Sequence, residues 1–341
     1  MTTARQPPAP YQTGAAVWRG CNLQDSRQWS WRWTAREIEE LLAAAEPYCE
    51  ASDAELTGLT PNDFPLPSIG PKLVALRRQL THGRGFELVR GFPVDDLTGG
   101  QCQAVFAGIG SHLGGLRSQN EAGDLLGQVR NVGADATDPN VRIYQTNERQ
   151  SFHTDSADVV GLLCLRTGAT GGDSLLVSAA TIYNEMLRTD KDLAAVLFQP
   201  IATDRRGEVP PGALPFFTIP VLTWYANALT VMYQRQYIQS AQRFADAPRL
   251  TKEVIEALDL FDEIANDPQL HLHMRLEVGD MQFVHNHSML HDRTAFTDRP
   301  EAPRHLLRLW LSVPGDRALP PVFAQRFRSV VVGDRGGIVA G

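Results

Sequence analysis

Apolar residues recur at helical spacing early in the chain and cluster into short runs later. Ile38, Leu41, Leu42 and Ala45 share one helical face behind Thr34-Ala-Arg-Glu37, a capping box that opens a helix at Thr34. The pattern predicts further helices from Pro71 to Leu80 and from Gly100 to Leu113. Between them, Phe86, Leu88 and the following apolar residues predict a buried strand punctuated by Gly83, Gly85 and Gly91. From Val141 the character changes to strand-like runs: VRIYQTN, VVGLLCLRT, SLLVS, LTVMY, HLHMRLE, MQFVH and HLLRLWLSV. Two helices interrupt them, Ala179–Arg188 behind the cap Ser178 and Lys252–Asn266 behind the cap Thr251. Many short strands with turn punctuation predict an antiparallel barrel or sandwich such as a jelly roll, wrapped by helices.

The segment from about 200 to 222 holds Pro200, Pro210, Pro211, Pro215 and Pro220. It is too Pro-rich for a central strand and reads as a long loop or lid. Residues 1–15, with Pro7, Pro8 and Pro10, read as a flexible N-terminal arm. The rest, 16–341, reads as one mostly-β domain, with a helical part over about 34–115 and a jelly-roll core over about 141–315.

Charge narrows the partners. Asp and Glu number 39 against 32 Lys and Arg, a net charge of −7, which argues against nucleic acid as a partner. Lys72, Lys191 and Lys252 are the only lysines, so the other 29 of those 32 bases are arginines, the side chain suited to gripping carboxylates bidentately. Cys21, Cys49, Cys102 and Cys164 are scattered without metal-like or disulfide spacing, which favours a reducing cytoplasm. The N-terminal residues lack the apolar run of a signal peptide, and no window is long and apolar enough to predict a membrane span. The composition leaves a homo-oligomer possible.

The candidate chemistry begins at Phe152-His153-Thr154-Asp155, where alternation along an extended strand projects His153 and Asp155 from one face. An imidazole and a carboxylate so placed form two-thirds of a facial triad that holds one face of octahedral Fe(II). His285, His287 and His291 are the candidates for the third ligand, and His291 falls in a predicted Leu-His-Asp-Arg turn. The following strand puts Arg304, Leu306, Arg308 and Trp310 on one face and His305, Leu307, Leu309 and Leu311 on the other. Two arginines on an apolar strand are costly to bury unless each meets an anion, which a dicarboxylate co-substrate would supply.

His153-Thr-Asp155, Gly171-Gly-Asp-Ser174, Asn286-His-x-x-x-His291 and Arg304-x-x-x-Arg308, in that order, resemble the taurine dioxygenase (TauD/TfdA) family. The resemblance runs from about residue 70 to about 313. It implies a double-stranded β-helix (a cupin-like jelly roll) and an oxygenase that uses Fe(II), 2-oxoglutarate and O2, releasing succinate and CO2. By position, His153, Asp155 and His291 match the iron ligands, Ser174 the hydroxyl that contacts 2-oxoglutarate, and Arg304 its distal-carboxylate partner. Arg308 matches a position that binds an acidic group of the primary substrate or shares the co-substrate. Family halogenases lack the carboxylate, so Asp155 implies hydroxylation, desaturation or cyclisation of a small polar or carboxylate-bearing substrate. The family's taurine-contacting histidine has no match, which disfavours taurine.

The rival reading is a non-catalytic jelly roll that binds a metal or small acid. A zinc hydrolase built on His287-x-x-x-His291 lacks its glutamate, which is Ser288 here. His271 and His273 read as solvent-facing, His285 and His305 as structural, and Arg205-Arg206 as lid or exposed loop residues.

Overall fold

Two sheets take up most of the strands in the computed structural model, which describes residues 9–338 apart from 136, 137 and 139. The larger runs β1 (Ser30–Arg32), β2 (Phe86–Arg90), β14 (Met281–His285), β6 (Val159–Arg166), β17 (His305–Ser312) and β3 (Gly115–Leu116), with β4 (Leu126–Val129) also paired to β17. The smaller runs β13 (Leu272–Met274), β8 (Ser174–Ser178), β15 (Met289–Arg293) and β5 (Gln150–His153). Within these sheets only β1 and β2 pair in parallel among the described residues. Outside them, β7 (Thr170–Gly171) pairs with β16 (Phe296–Thr297), β9 (Pro200–Asp204) with β10 (Phe216–Pro220), and β11 (Leu222–Tyr225) with β12 (Ala228–Val231).

Period-two alternation sorts the apolar side chains into layers. On β17, Leu307, Leu309 and Leu311 face outward into a core shared with α1 (Ala35–Ala45), α2 (Asp53–Thr57), α3 (Gly70–His82) and α4 (Gly99–Leu113). Leu306 and Trp310 face inward, where they meet Leu176 of β8, Leu272 and Met274 of β13, and Met289 of β15. Leu175 and Val177 of β8 turn the other way, into a third core with α5 (Ala179–Thr189), α6 (Lys191–Val196) and α8 (Lys252–Ala265). The order is helices, sheet, sheet, helices. Each buried leucine contributes roughly 1.5–3 kcal/mol, so a strand that slipped by one residue would lose three such contacts at once on β17. The Thr34–Glu37 capping box is formed as expected, and the predicted helices fall within two residues of their observed ends.

Three local expectations change. The run 141–147 is not a strand: Ile143–Gln145 is a 3-10 turn, closed where the Thr146 hydroxyl donates to the Ile143 carbonyl. The Pro200–Pro220 segment is not all loop, because its ends pair as β9 and β10 with Pro200 opposite Pro220. The prolines are tolerated because this pair is an isolated ribbon with open edges. Of the arm, residues 1–8 lie outside the described residues, whereas Ala9 is buried and Gln12 exchanges two backbone hydrogen bonds with the Asn184 side chain. No helix among the described residues is long and apolar enough to cross a membrane.

α7 (Arg235–Ser240) packs on β9; after β17 the chain packs α9 (Ala324–Phe327) on β10 and then enters a buried charge network. Arg335 donates from Nε to Asp158 at 2.7 Å and from Nη2 to Asp316 at 3.0 Å. His287 bonds Asp158, and His285 bonds Asp316 and Ser288. Burial is the largest influence on His285 and pushes its pKa down to about 4. Removing the shared cation leaves two buried carboxylates short of a partner. Arg335→Ala should therefore lower the unfolding free energy by about 3–5 kcal/mol in urea titration, and an unchanged midpoint would show the network to be dispensable. An unfolded histidine titrates near about 6.5, so between that value and the folded value the unfolded chain binds the extra proton. Stability should be intact above about pH 6.5 and fall as pH drops towards about 4. A flat urea midpoint across that window would contradict the assignment.

Candidate active site

Register brings the two histidines together. His291 on β15 sits directly opposite His153 on β5, so both point from the same face, and their rings lie 4.1 Å apart. His291 is thus in a strand, not the turn expected for it, and it also pairs Leu176 of β8. Asp155 lies just past the end of β5 instead of within it. Its position is fixed by other bonds: the Thr154 amide donates to the Tyr233 carbonyl, and the Asp155 amide donates to the Asn286 side chain at 3.0 Å. One ligand atom from each of His153, Asp155 and His291 falls within 4.8 Å of the others, the spacing of a shared metal. His285 and His287 lie elsewhere, in the Arg335 network. Asp158, His287 and Asp316 also converge, but Arg335 already occupies both carboxylates, so that group is an internal ion-pair cluster.

Electrostatics put the triad in the form a metal needs. Burial pushes His291 down to about 3 and lowers His153, so both imidazoles are neutral at physiological pH. The His153 Nδ1 lies 2.9 Å from the Ser151 carbonyl, which fixes the proton there and makes Nε2 the acceptor; Gln150 Nε2 donates to that lone pair at 2.8 Å, the place a metal would take over. Burial would raise the Asp155 carboxyl, but Arg308, His291, His153 and the Trp310 indole together hold it down at about 2. Trp310 Nε1 donates to Asp155 Oδ2 at 2.8 Å, and Arg308 Nη1 lies 3.5 Å from the same oxygen.

Next to the triad, a pocket is lined by Ser174, Gln282, Leu276, Arg293 and Arg304. Ser174 Oγ is held by Gln282, whose amide also reaches Met274 Sδ. Arg304 packs 5.1 Å over the Phe296 ring and bonds the Gly172 carbonyl at 3.3 Å, yet its Nη1 is buried without a partner. Gly172, at φ +74°, permits this approach, since a Cβ there would fall 2.7 Å from Arg304 Nε. Arg293 packs 4.8 Å over the same ring and leaves Nε and Nη1 unpartnered; burial first, then Arg304, pushes it down to about 9. The carboxylates that also line this pocket, Asp155 and Asp292, pair with Arg308 and Arg149, so the free donors of Arg293 and Arg304 remain unfavourably buried until a further anion enters. His291 Nδ1 is likewise buried and unpartnered.

Ser174, Arg304 and Arg308 all reach this region, but they part company. Arg308 turns to Asp155, and its Nε donates to Gln119 at 2.6 Å. Sequence reasoning missed Arg293, two residues beyond His291 and hence on its face of β15, and Gln282, a polar residue at an inward position of β14. Strand periodicity could have found both. Arg205 and Arg206 are buried, not exposed.

The sequence profile of the "Taurine catabolism dioxygenase TauD, TfdA family" matches residues 52–310. FR-33289 synthase of Streptomyces rubellomurinus is 35% identical over 321 residues, covering 90% of this chain and 92% of that protein. Asparagine oxygenase in complex with Fe(II), hydroxyasparagine and succinate superposes with a TM-score of 0.63 at 19% identity, over 83% of this chain and 93% of that one. The oxygenase OrfP in complex with Fe and alpha-ketoglutaric acid gives 0.60 at 14% identity over the same shares, and at such identities these two likenesses speak to the fold alone. The chain belongs to the TauD/TfdA family and is an Fe(II)- and 2-oxoglutarate-dependent dioxygenase.

Proposed function

We propose that the chain oxidises a C–H bond of a small, polar, anion-bearing metabolite, by hydroxylation or by desaturation or cyclisation, within a double-stranded β-helix core. The observation that carries this reading is the register-matched His153–His291 pair with ionised Asp155, opening onto a pocket with two unsatisfied buried arginines. His153, Asp155 and His291 would hold Fe(II); two neutral imidazoles and one carboxylate suit it and leave the metal positive. Bound there, iron supplies dioxygen activation coupled to decarboxylation of 2-oxoglutarate to succinate and CO2. Arg304 and Arg293 would take the distal carboxylate of 2-oxoglutarate, with Ser174, accepting from Gln282 Nε2 and so free to donate its own proton, supplying a further hydrogen bond. Arg308 keeps Asp155 ionised and orients it together with Trp310.

A second cavity shares His153, Asp155 and Arg308 with the first and is bordered by Thr203, Asp204 and Phe217 of the β9–β10 ribbon. The ribbon would thus serve as the wall, or lid, that keeps water from the primary substrate. Four free cysteines agree with action in a reducing cytoplasm.

Under anaerobic conditions, Fe(II) with 2-oxoglutarate should give a visible charge-transfer band in the wild type and none in His153→Ala. Failure of the wild type to bind either component would end the oxygenase reading. Succinate formation across a substrate panel separates turnover from mere binding. Arg304→Ala and Arg293→Ala should each weaken 2-oxoglutarate binding by roughly 2–5 kcal/mol while iron binding is retained. Equal 2-oxoglutarate affinity in Arg293→Ala and the wild type would remove Arg293 from that role.

A further inference from the structure

Arginine is concentrated in the second cavity beyond what its carboxylates offset. Arg142, Tyr237, Arg308, Arg326, Ser156 and Thr154 line it together with His153 and Asp155. Arg142 and Arg326 are bridged by one carboxylate, Glu208, which accepts from Nη2 of each. Their side chains are 13% and 8% exposed and that of Glu208 is 8%, so this is an internal cluster. Arg205 and Arg206 stand behind it, both buried. Arg205 gives its donors to the Leu214 and Gln325 carbonyls, and Arg206 packs 4.8 Å over the Tyr237 ring and donates to Val141. Arg206 Nε is buried and unpartnered. The neighbouring Asp204 is taken up by Arg243. Arg142 and Arg326 thus share one carboxylate with two further guanidiniums buried behind them, and burial, with Arg326 next, pushes Arg205 down to about 10.

A buried excess of this size calls for more negative charge than one carboxylate brings. The donors also converge from different directions: Arg142 from the segment before β5, Tyr237 from α7, Arg326 from α9 and Arg308 from β17. A planar carboxylate offers two oxygens to two forks, whereas a tetrahedral dianion offers three to several. Arg326 Nε donates to Ser156 Oγ at 2.8 Å, which orients that hydroxyl to donate in its turn.

We propose that the primary substrate carries a tetrahedral dianion, a phosphoryl or phosphonyl group, bound by Arg142, Arg326 and Tyr237 in the cavity that His153 and Asp155 also line. This rests on the oxygenase reading above and narrows its substrate class. Arg142 and Arg326 set specificity; Arg206 acts through Tyr237 as a positioning residue.

Calorimetric titration of the full chain at mildly alkaline pH, with methyl phosphate, methylphosphonate, methanesulfonate and acetate, tests it. Saturable binding of the two phosphorus dianions is expected, at least about tenfold tighter than that of the two monoanions, and the tighter of the two tells ester from phosphonate. Arg142→Gln and Arg326→Gln should each cost about tenfold or more in dianion affinity. Tyr237→Phe should cost a few-fold, and it leaves the Glu208 ion pairs in place should the arginine variants fail to fold. Acetate or methanesulfonate binding as tightly as the dianions, or full dianion affinity in Arg142→Gln or Tyr237→Phe, would overturn the proposal. The Fe(II)/2-oxoglutarate band, read on the same samples, separates the two readings. No dianion binding in protein that forms the band removes this inference and leaves the oxygenase, whereas dianion binding without the band removes the oxygenase and leaves the pocket.

Discussion

A guanidinium taken out of water must meet an anion or have its donors taken up by carbonyls, and much of this interior is arranged around that requirement. Arg335 meets Asp158, beside β6, and Asp316, beyond β17, and so ties the end of the described chain to the larger sheet. Arg308 meets Asp155 and so sets the charge of the triad. Arg293 and Arg304 keep buried donors that no ion pair takes up, and Arg142 and Arg326 share a single carboxylate; it is there that the proposals above place a ligand. On those proposals, the arginines that would meet a ligand are the ones whose donors the chain itself leaves short of partners.

The hydrophobic layers make such burial possible. Helices cover both outer faces, so strand alternation leaves one shared inner space. At one end of it the apolar residues give way to His153, His291, Ser174, Gln282 and Arg308. The low dielectric there holds the histidines neutral, while the neighbouring cation keeps the carboxylate charged, two opposite outcomes from one environment.

Local signals were readable in the sequence and distant ones were not. Caps at Thr34, Ser178 and Thr251 and the two-faced pattern of 304–311 predict the observed helices and β17. His153, Asp155 and His291 were legible because their motifs are short and ordered. The strand at 289–293 was hidden, since its Leu-His-Asp-Arg is held by pairing with β8 and β5 and not by propensity. Arg142, Arg326 and Arg335 gave no signal at all. Their roles come from contacts with residues far along the chain, such as Glu208 and Asp158, which no local window contains.

The pairing of His153 with His291 closes a loop of more than a hundred residues, because the two strands come from widely separated parts of the chain. A slip of one position would turn an imidazole to the far side of its sheet. Metal affinity therefore reads out the register of the finished sheet, and an ion that binds only there draws the population towards correctly paired chains as it fills the site. Iron would act on this protein as a late proofreader of its own topology, rewarding only molecules in which these two distant strands have already found each other.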